Sequence, residues 1–98
     1  MIPRDDVLHE LASAICALTR QAVAAYAPIV EDIVRERCQD AEHIQRTLDG
    51  LLDFAHDAEV LLLYKKVCRH YYFIDPAATA DYVRFYREMW DSEPEEQS

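Results

Sequence analysis

Residues 40–72 of the chain read DAEHIQRTLDGLLDFAHDAEVLLLYKKVCRHYY, and this stretch carries the clearest helical pattern in the sequence. Its apolar residues recur at alternating spacings of three and four: Ala41, Ile44, Leu48, Leu51, Ala55, Ala58 and Leu62. Over three heptads such spacing describes a stripe that packs against another helix. The phase is kept across Gly50, although glycine inside a helix costs about 1 kcal/mol relative to alanine. We therefore predict one long helix over about 40–72, with a break near Asp57, an alternative N-cap, as the competing interpretation.

The N-terminal part repeats the same spacing, through Leu8, Leu11, Ile15, Leu18, Ala22, Ala25 and Ile29. We predict a first helix that begins at Asp5 or Asp6, whose carboxylates can cap its free amides, and that runs to about Ala27. Pro28 lacks a backbone donor and clashes with the preceding turn, which predicts a kink or break. A short second helix is then expected, with a buried face formed by Ile29, Val30, Ile33 and Val34.

The pair Asp75-Pro76 marks the start of the last helix, because aspartate caps well and proline suits the first helical position. This helix is predicted to run from Pro76 to about Trp90 or Asp91. The acidic residues 92–98 are predicted to be a disordered tail. The chain is thus expected to be all-α: residues 1–91 form one helical domain, a bundle of four to five helices around the long 40–72 helix.

The length of the predicted 40–72 helix also predicts a homodimer, intertwined or side by side. Thirty-three helical residues span about 50 Å, whereas a compact domain of this size is roughly 25 to 30 Å across. The helix would leave a leucine stripe in water unless a second copy covered it. A split near Asp57 weakens this argument.

Composition restricts the classes of function. The chain has 98 residues, 51% of them hydrophobic, and a net charge of −9, so plain binding to nucleic acid or to an anionic membrane surface is disfavoured. Cys16, Cys38 and Cys68 form no paired spacing, which favours reduced thiols. No export signal is apparent, and Arg20 and Gln21 interrupt the most apolar segment. We expect a cytoplasmic protein.

No catalytic motif is apparent in the sequence. With a single glycine, the chain has no nucleophile elbow, phosphate-binding loop or dinucleotide fingerprint. Asp53, His56 and Asp57 have spacings that a metal could use, but no second ligand cluster accompanies them. We expect these three residues to be charged or polar surface residues and not metal ligands. We therefore expect the protein to bind no metal or cofactor and not to be an enzyme.

Two groups of residues are candidates for contact with a partner protein. In a continuous 40–72 helix, Asp49, Asp53 and Asp57 would share the outer face one turn apart, which suits a basic partner. Eight of the ten aromatic residues lie after residue 63; we expect most to be core, with Tyr82, Tyr86 and Trp90 at a wet interface. The leading hypothesis is a small acidic interaction module: an adaptor, an antitoxin-like protein, or an inhibitor or regulator.

A DNA-binding transcriptional regulator is the alternative. Residues 64–87 carry five cations, Lys65, Lys66, Arg69, Arg84 and Arg87, against two aspartates, a net charge of +3. The segment 57–91 is predicted to form a helix, a short turn and a second helix, which is the outline of a helix-turn-helix. The turn without glycine, the bulky aromatics of the last helix and the acidic chain as a whole disfavour this interpretation.

Overall fold

The computed structural model describes residues 4–90, with side chains from residue 7, and this part of the chain is all-helical, as predicted. It forms four helices: α1 (Arg4–Arg35), α2 (Ala41–Leu52), α3 (Ala58–Tyr72) and α4 (Pro76–Met89). Four helices agree with the predicted bundle, and the described residues hold no fifth. The predicted tail, residues 92–98, lies outside the described part.

The prediction that the first helix ends before Pro28 is wrong, because α1 continues through this proline to Arg35. Pro28 lies on the exposed side of α1, as does Ala24 one turn earlier. The carbonyl of Ala24, which loses its donor, can therefore bind water. Beyond the proline, Val30 and Ile33 are fully buried, and their burial keeps the helix together across the weak point.

The predicted continuous helix over 40–72 is also wrong, and the alternative break near Asp57 is correct. Residues 53–57 form a turn between α2 and α3. Asp57 caps α3, its carboxylate accepting from the backbone amides of Glu59 and Val60 at 3.0 and 3.2 Å. Gly50 lies within α2, so the helix does run through the glycine. Because the long helix is absent, the argument for a homodimer that rested on it no longer applies.

Helix α3 lies at the centre of the bundle, since it packs against each of the other three helices. The core contains aliphatic side chains from α1, α2 and α3 together with three tyrosines: Val30, Ile33, Ile44, Leu48, Leu51, Val60, Val67, Tyr64, Tyr71 and Tyr82. Each buried tyrosine hydroxyl has a partner, as buried polar groups require. Tyr64 donates to the carbonyl of Tyr82 at 2.7 Å, and Tyr71 accepts from the Gln45 amide at 2.7 Å.

The N-terminal half of α1 projects from the bundle. Thr19 is the first buried residue of the helix, and all the side chains described before it are exposed. The radius of gyration is 16.2 Å, with extents of 55 × 40 × 17 Å, whereas a compact domain of this length has a radius of about 13 Å. We call residues 7–18 the arm.

The last helix begins and ends close to the predicted positions. Asp75 caps α4 through the amide of Ala78 at 3.0 Å, and Pro76 occupies its first turn. Trp90 is the C-cap residue. Helices α3 and α4 are thus antiparallel neighbours joined by a short turn.

Candidate binding surface

The three aspartates predicted to form one outer face are separated by the break between α2 and α3. Asp49 lies in α2, Asp53 follows its last residue, and Asp57 caps α3. Asp49 accepts a hydrogen bond from the Tyr82 hydroxyl at 2.9 Å. Asp49 therefore links α2 to α4, Asp57 caps its own helix, and Asp53 is exposed without such a bond.

The bond between Asp49 and Tyr82 brings together two residues that the sequence assigned to separate surfaces. Tyr82 is buried, and its pKa is raised by burial and by the hydrogen bond and charge of Asp49. The pKa of Tyr64, which contacts the same part of α4, is raised chiefly by burial. Neither phenol ionises near neutral pH, so both act as packed hydrogen-bond donors.

Tyr86 and Trp90, the other predicted aromatic contacts, are partly exposed. The Trp90 indole donates to the carbonyl of Leu52 at 2.7 Å, and its ring centroid lies 5.0 Å from that of His56. The Leu52 carbonyl also accepts from the backbone amide of Ala55 at 3.3 Å, and the bond from Trp90 attaches the end of α4 to the end of α2. Tyr86 lies against Tyr64, with ring centroids 6.1 Å apart.

An open groove of about 520 Å³ runs between α3 and α4. Its lining is mainly apolar or aromatic, with one cation pair along one edge: Leu61, Tyr64, Lys65, Cys68, Arg69, Tyr72, Thr79, Val83 and Tyr86. Tyr72 and Val83 are 56% and 44% exposed. No acidic side chain lines the groove, which distinguishes it from the rest of this acidic chain.

Of these lining residues, sequence analysis singled out Tyr86, Lys65 and Arg69 and missed Leu61, Tyr72 and Val83. Helical spacing shows which residues of α3 share a face, but it does not show which helix lies beside that face. The short turn at Asp75 was the available signal, because a turn of this length makes α3 and α4 neighbours. Combined with the spacing in each helix, it could have placed Tyr72 opposite the start of α4.

The five predicted cations fall on two helices. Lys65, Lys66 and Arg69 share the exposed side of α3, and none of them forms an ion pair within the described residues. Arg84 of α4 binds Asp81 at 3.0 Å and lies 5.8 Å from the Phe85 ring centroid. Arg87 is exposed on α4. The basic side of α3 is thus continuous with the edge of the groove.

Side chains that could bind a metal are dispersed within residues 7–90. No group of three His, Cys, Asp or Glu side chains in this part lies close enough to hold a metal. The His70 Nε2 atom forms a hydrogen bond with the Cys38 carbonyl oxygen at 2.6 Å, which joins α3 to the turn after α1. Burial raises the pKa of the Cys68 thiol to about 11, so this groove-lining cysteine is protonated and weakly nucleophilic at neutral pH.

Comparison of the chain with protein-family models, with curated proteins and with solved structures found no significant match. One helix, over Val7–Arg35, is long and apolar enough to cross a membrane by length and composition. Its C-terminal half supplies core residues such as Val30 and Ile33 to the bundle, a property of helices in water-soluble folds as well.

Proposed function

We propose that the protein is a non-catalytic interaction module, and that its partner is another protein bound in the groove between α3 and α4. The observation that carries the proposal is an open apolar groove with Tyr72 and Val83 exposed beside Lys65 and Arg69. Aromatic residues and arginine are enriched where protein interfaces gain most of their free energy. A groove between two helices also suits the apolar face of a third helix that docks into it.

The groove supports partner binding better than the predicted acidic face does. Asp49 and Asp57 already accept hydrogen bonds within the bundle, so a partner that recruited them would have to displace those bonds. Lys65 and Arg69 form no ion pair within the described residues. Charge complementarity therefore favours a partner segment with acidic residues beside an apolar stripe.

Affinity capture from lysate of the native cell, with and without nuclease, tests this proposal. The tagged protein is compared with a Val83→Glu variant, which places a charge in the groove, and with Ala77→Glu, which adds the same charge on the exposed start of α4. We expect one stoichiometric protein to be recovered by the wild type and by Ala77→Glu, with or without nuclease, and to be lost with Val83→Glu. Equal recovery of the same protein by Val83→Glu would exclude the groove.

DNA binding is the second candidate function, and the basic side of α3 is the observation that favours it. Lys65, Lys66 and Arg69 face solvent together. Arg84 and Arg87 lie on α4, the helix that packs beside α3. Neutralisation of several phosphates makes such binding strongly dependent on salt. Duplex binding by fluorescence anisotropy at low salt, lost in a Lys65→Ala/Lys66→Ala/Arg69→Ala variant and in an Arg84→Ala/Arg87→Ala variant, would establish this function. Absence of binding by the wild type at low salt would exclude it.

A further inference from the structure

The arm carries an apolar stripe that the described part of the chain leaves largely exposed, although Ile15 borders a cleft with Asp57 and Glu59 at the start of α3. Five of its side chains are each 44 to 58% exposed: Val7, Leu8, Leu11, Ile15 and Leu18. Together they present on the order of 500 Å² of apolar surface, as much as the largest patch of a typical monomer. The stripe is separate from the groove between α3 and α4, so it is independent of the proposed function.

The stripe has the spacing of a two-helix seam. Leu8 and Ile15 occupy the first core position of successive heptads, and Leu11 and Leu18 occupy the second. The positions that flank this seam hold no charged side chain: Val7 and Ala14 lie on one side, Ala12 and Thr19 on the other. In helix pairs the flanking charges select a different partner or repel an identical one. A seam without them accepts a second copy of itself.

Local charge also favours self-pairing. The chain carries a net charge of −9, yet Glu10 and Arg20 are the only Asp, Glu, Lys or Arg residues between positions 7 and 20. The arm itself therefore contributes little repulsion between two copies, and the acidic residues nearest its seam from another helix are Asp57 and Glu59. A lipid surface fits less well, because the polar side of the arm, with Glu10 and Ser13, lacks the lysines and arginines typical of helices that lie on membranes.

The geometry points to a homodimer in which the arms of two copies pair antiparallel. In this arrangement Leu8 packs opposite Leu18 of the second copy, and Leu11 packs opposite its Ile15. The four large residues of each arm thus lie in the core of the helix pair. This register places Thr19 of the second copy, where its bundle begins, beside Val7. The two acidic bundles then lie at opposite ends of the arm pair, whereas parallel pairing would place them side by side. Two copies bury at most about 1,000 Å² of side chain, which is the minimum expected of a biological interface and typical of a weak one.

Light scattering after size-exclusion chromatography at about 100 μM, a concentration suited to interfaces of this size, tests the homodimer. We expect the wild type to have twice the 11.4 kDa mass of one chain, and a Leu11→Lys/Ile15→Lys variant to have the mass of one. The matched control, Ser13→Lys/Ala17→Lys, adds two lysines to the opposite side of the arm and keeps the double mass. Circular dichroism is expected to show the bundle folded in all three, because residues 7–18 are exposed.

Cross-linking tests the orientation with substitutions that keep the arm apolar. In a Cys16→Ser/Cys38→Ser background, a mixture of Leu8→Cys and Leu18→Cys chains is expected to form a disulfide dimer on mild oxidation, and Leu8→Cys alone is not. Efficient cross-linking of Leu8→Cys alone would overturn the antiparallel register.

A wild type with the mass of one chain would overturn the homodimer. Binding of that monomer to neutral or anionic vesicles, lost in the lysine variant, would assign the arm to lipid instead.

Discussion

At the scale of single residues, Gly50 shows why a glycine can be required within a helix. A Cβ at this position would collide with the Tyr26 hydroxyl and lie 2.5 Å from the ring carbon that bears it. The absence of a side chain thus lets α1 approach α2, an advantage that helix propensity does not reveal. Sequence analysis recognised the energetic cost of the glycine but not its cause, since Tyr26 is distant in the chain.

Replacement of Gly50 separates these two effects. In most helices glycine to alanine raises the free energy of unfolding by up to about 1 kcal/mol, but here we expect Gly50→Ala to lower it, because the Tyr26 ring must move. In a Tyr26→Leu background the same replacement is expected to be stabilising. Urea unfolding of the four proteins measures the coupling. A stabilising Gly50→Ala in the wild-type background would contradict the packing described.

At the scale of helices, the sequence predicted which residues are helical better than where the helices end. The helix start near residue 40 and the cap at Asp75 were predicted correctly, since each precedes a new apolar pattern. The turn at residues 53–57 was only the competing interpretation, because a turn that returns the chain to the same core can keep the apolar phase on both sides. At Pro28 the sequence predicted a helix end that the structure does not have. The proline lies on the exposed side of α1, where the helix can continue past it.

The cap at Asp57 provides a direct test of the break between α2 and α3. Asp57→Ala removes two hydrogen bonds to the first turn of α3, and we expect it to lower the free energy of unfolding by about 1 kcal/mol. Asp53→Ala is the control, because Asp53 is exposed at the end of α2, where a negative charge is unfavourable. Thermal or urea unfolding that gave the two variants equal stability would contradict the assigned cap.

Packing of α4 on α3 is expected to weaken at alkaline pH. The pKa values of Tyr64 and Tyr82 are raised above their usual value of 10.0. The neutral phenols therefore stabilise the fold fully below pH 10, and this stabilisation is lost as the pH rises further. We expect the free energy of unfolding to fall above pH 10, and less steeply in Tyr82→Phe than in the wild type or in the exposed control Tyr72→Phe. Equal slopes in all three would contradict the role of Tyr82.

At the scale of the whole molecule, the described bundle leaves apolar surface exposed on the arm and in the groove between α3 and α4, as well as at single residues such as Phe73 and Leu62. Only the first could be anticipated in part from the sequence, which predicted an uncovered leucine stripe but assigned it to residues 40–72. The longest helix is instead α1, and its overhang arises because α2, α3 and α4 are 12, 15 and 14 residues long against its 32. The proposed binding function requires exposed apolar surface of this kind.

Photo-cross-linking in the native cell tests the central claim, that a protein partner occupies the groove, most directly. A photoreactive phenylalanine analogue is placed at Val83 in the groove or at Glu88, which is exposed on α4 outside it. Irradiation followed by mass spectrometry is expected to give one covalent protein adduct from position 83 and none from position 88. No protein adduct from position 83, or adducts to nucleic acid alone, would contradict the account.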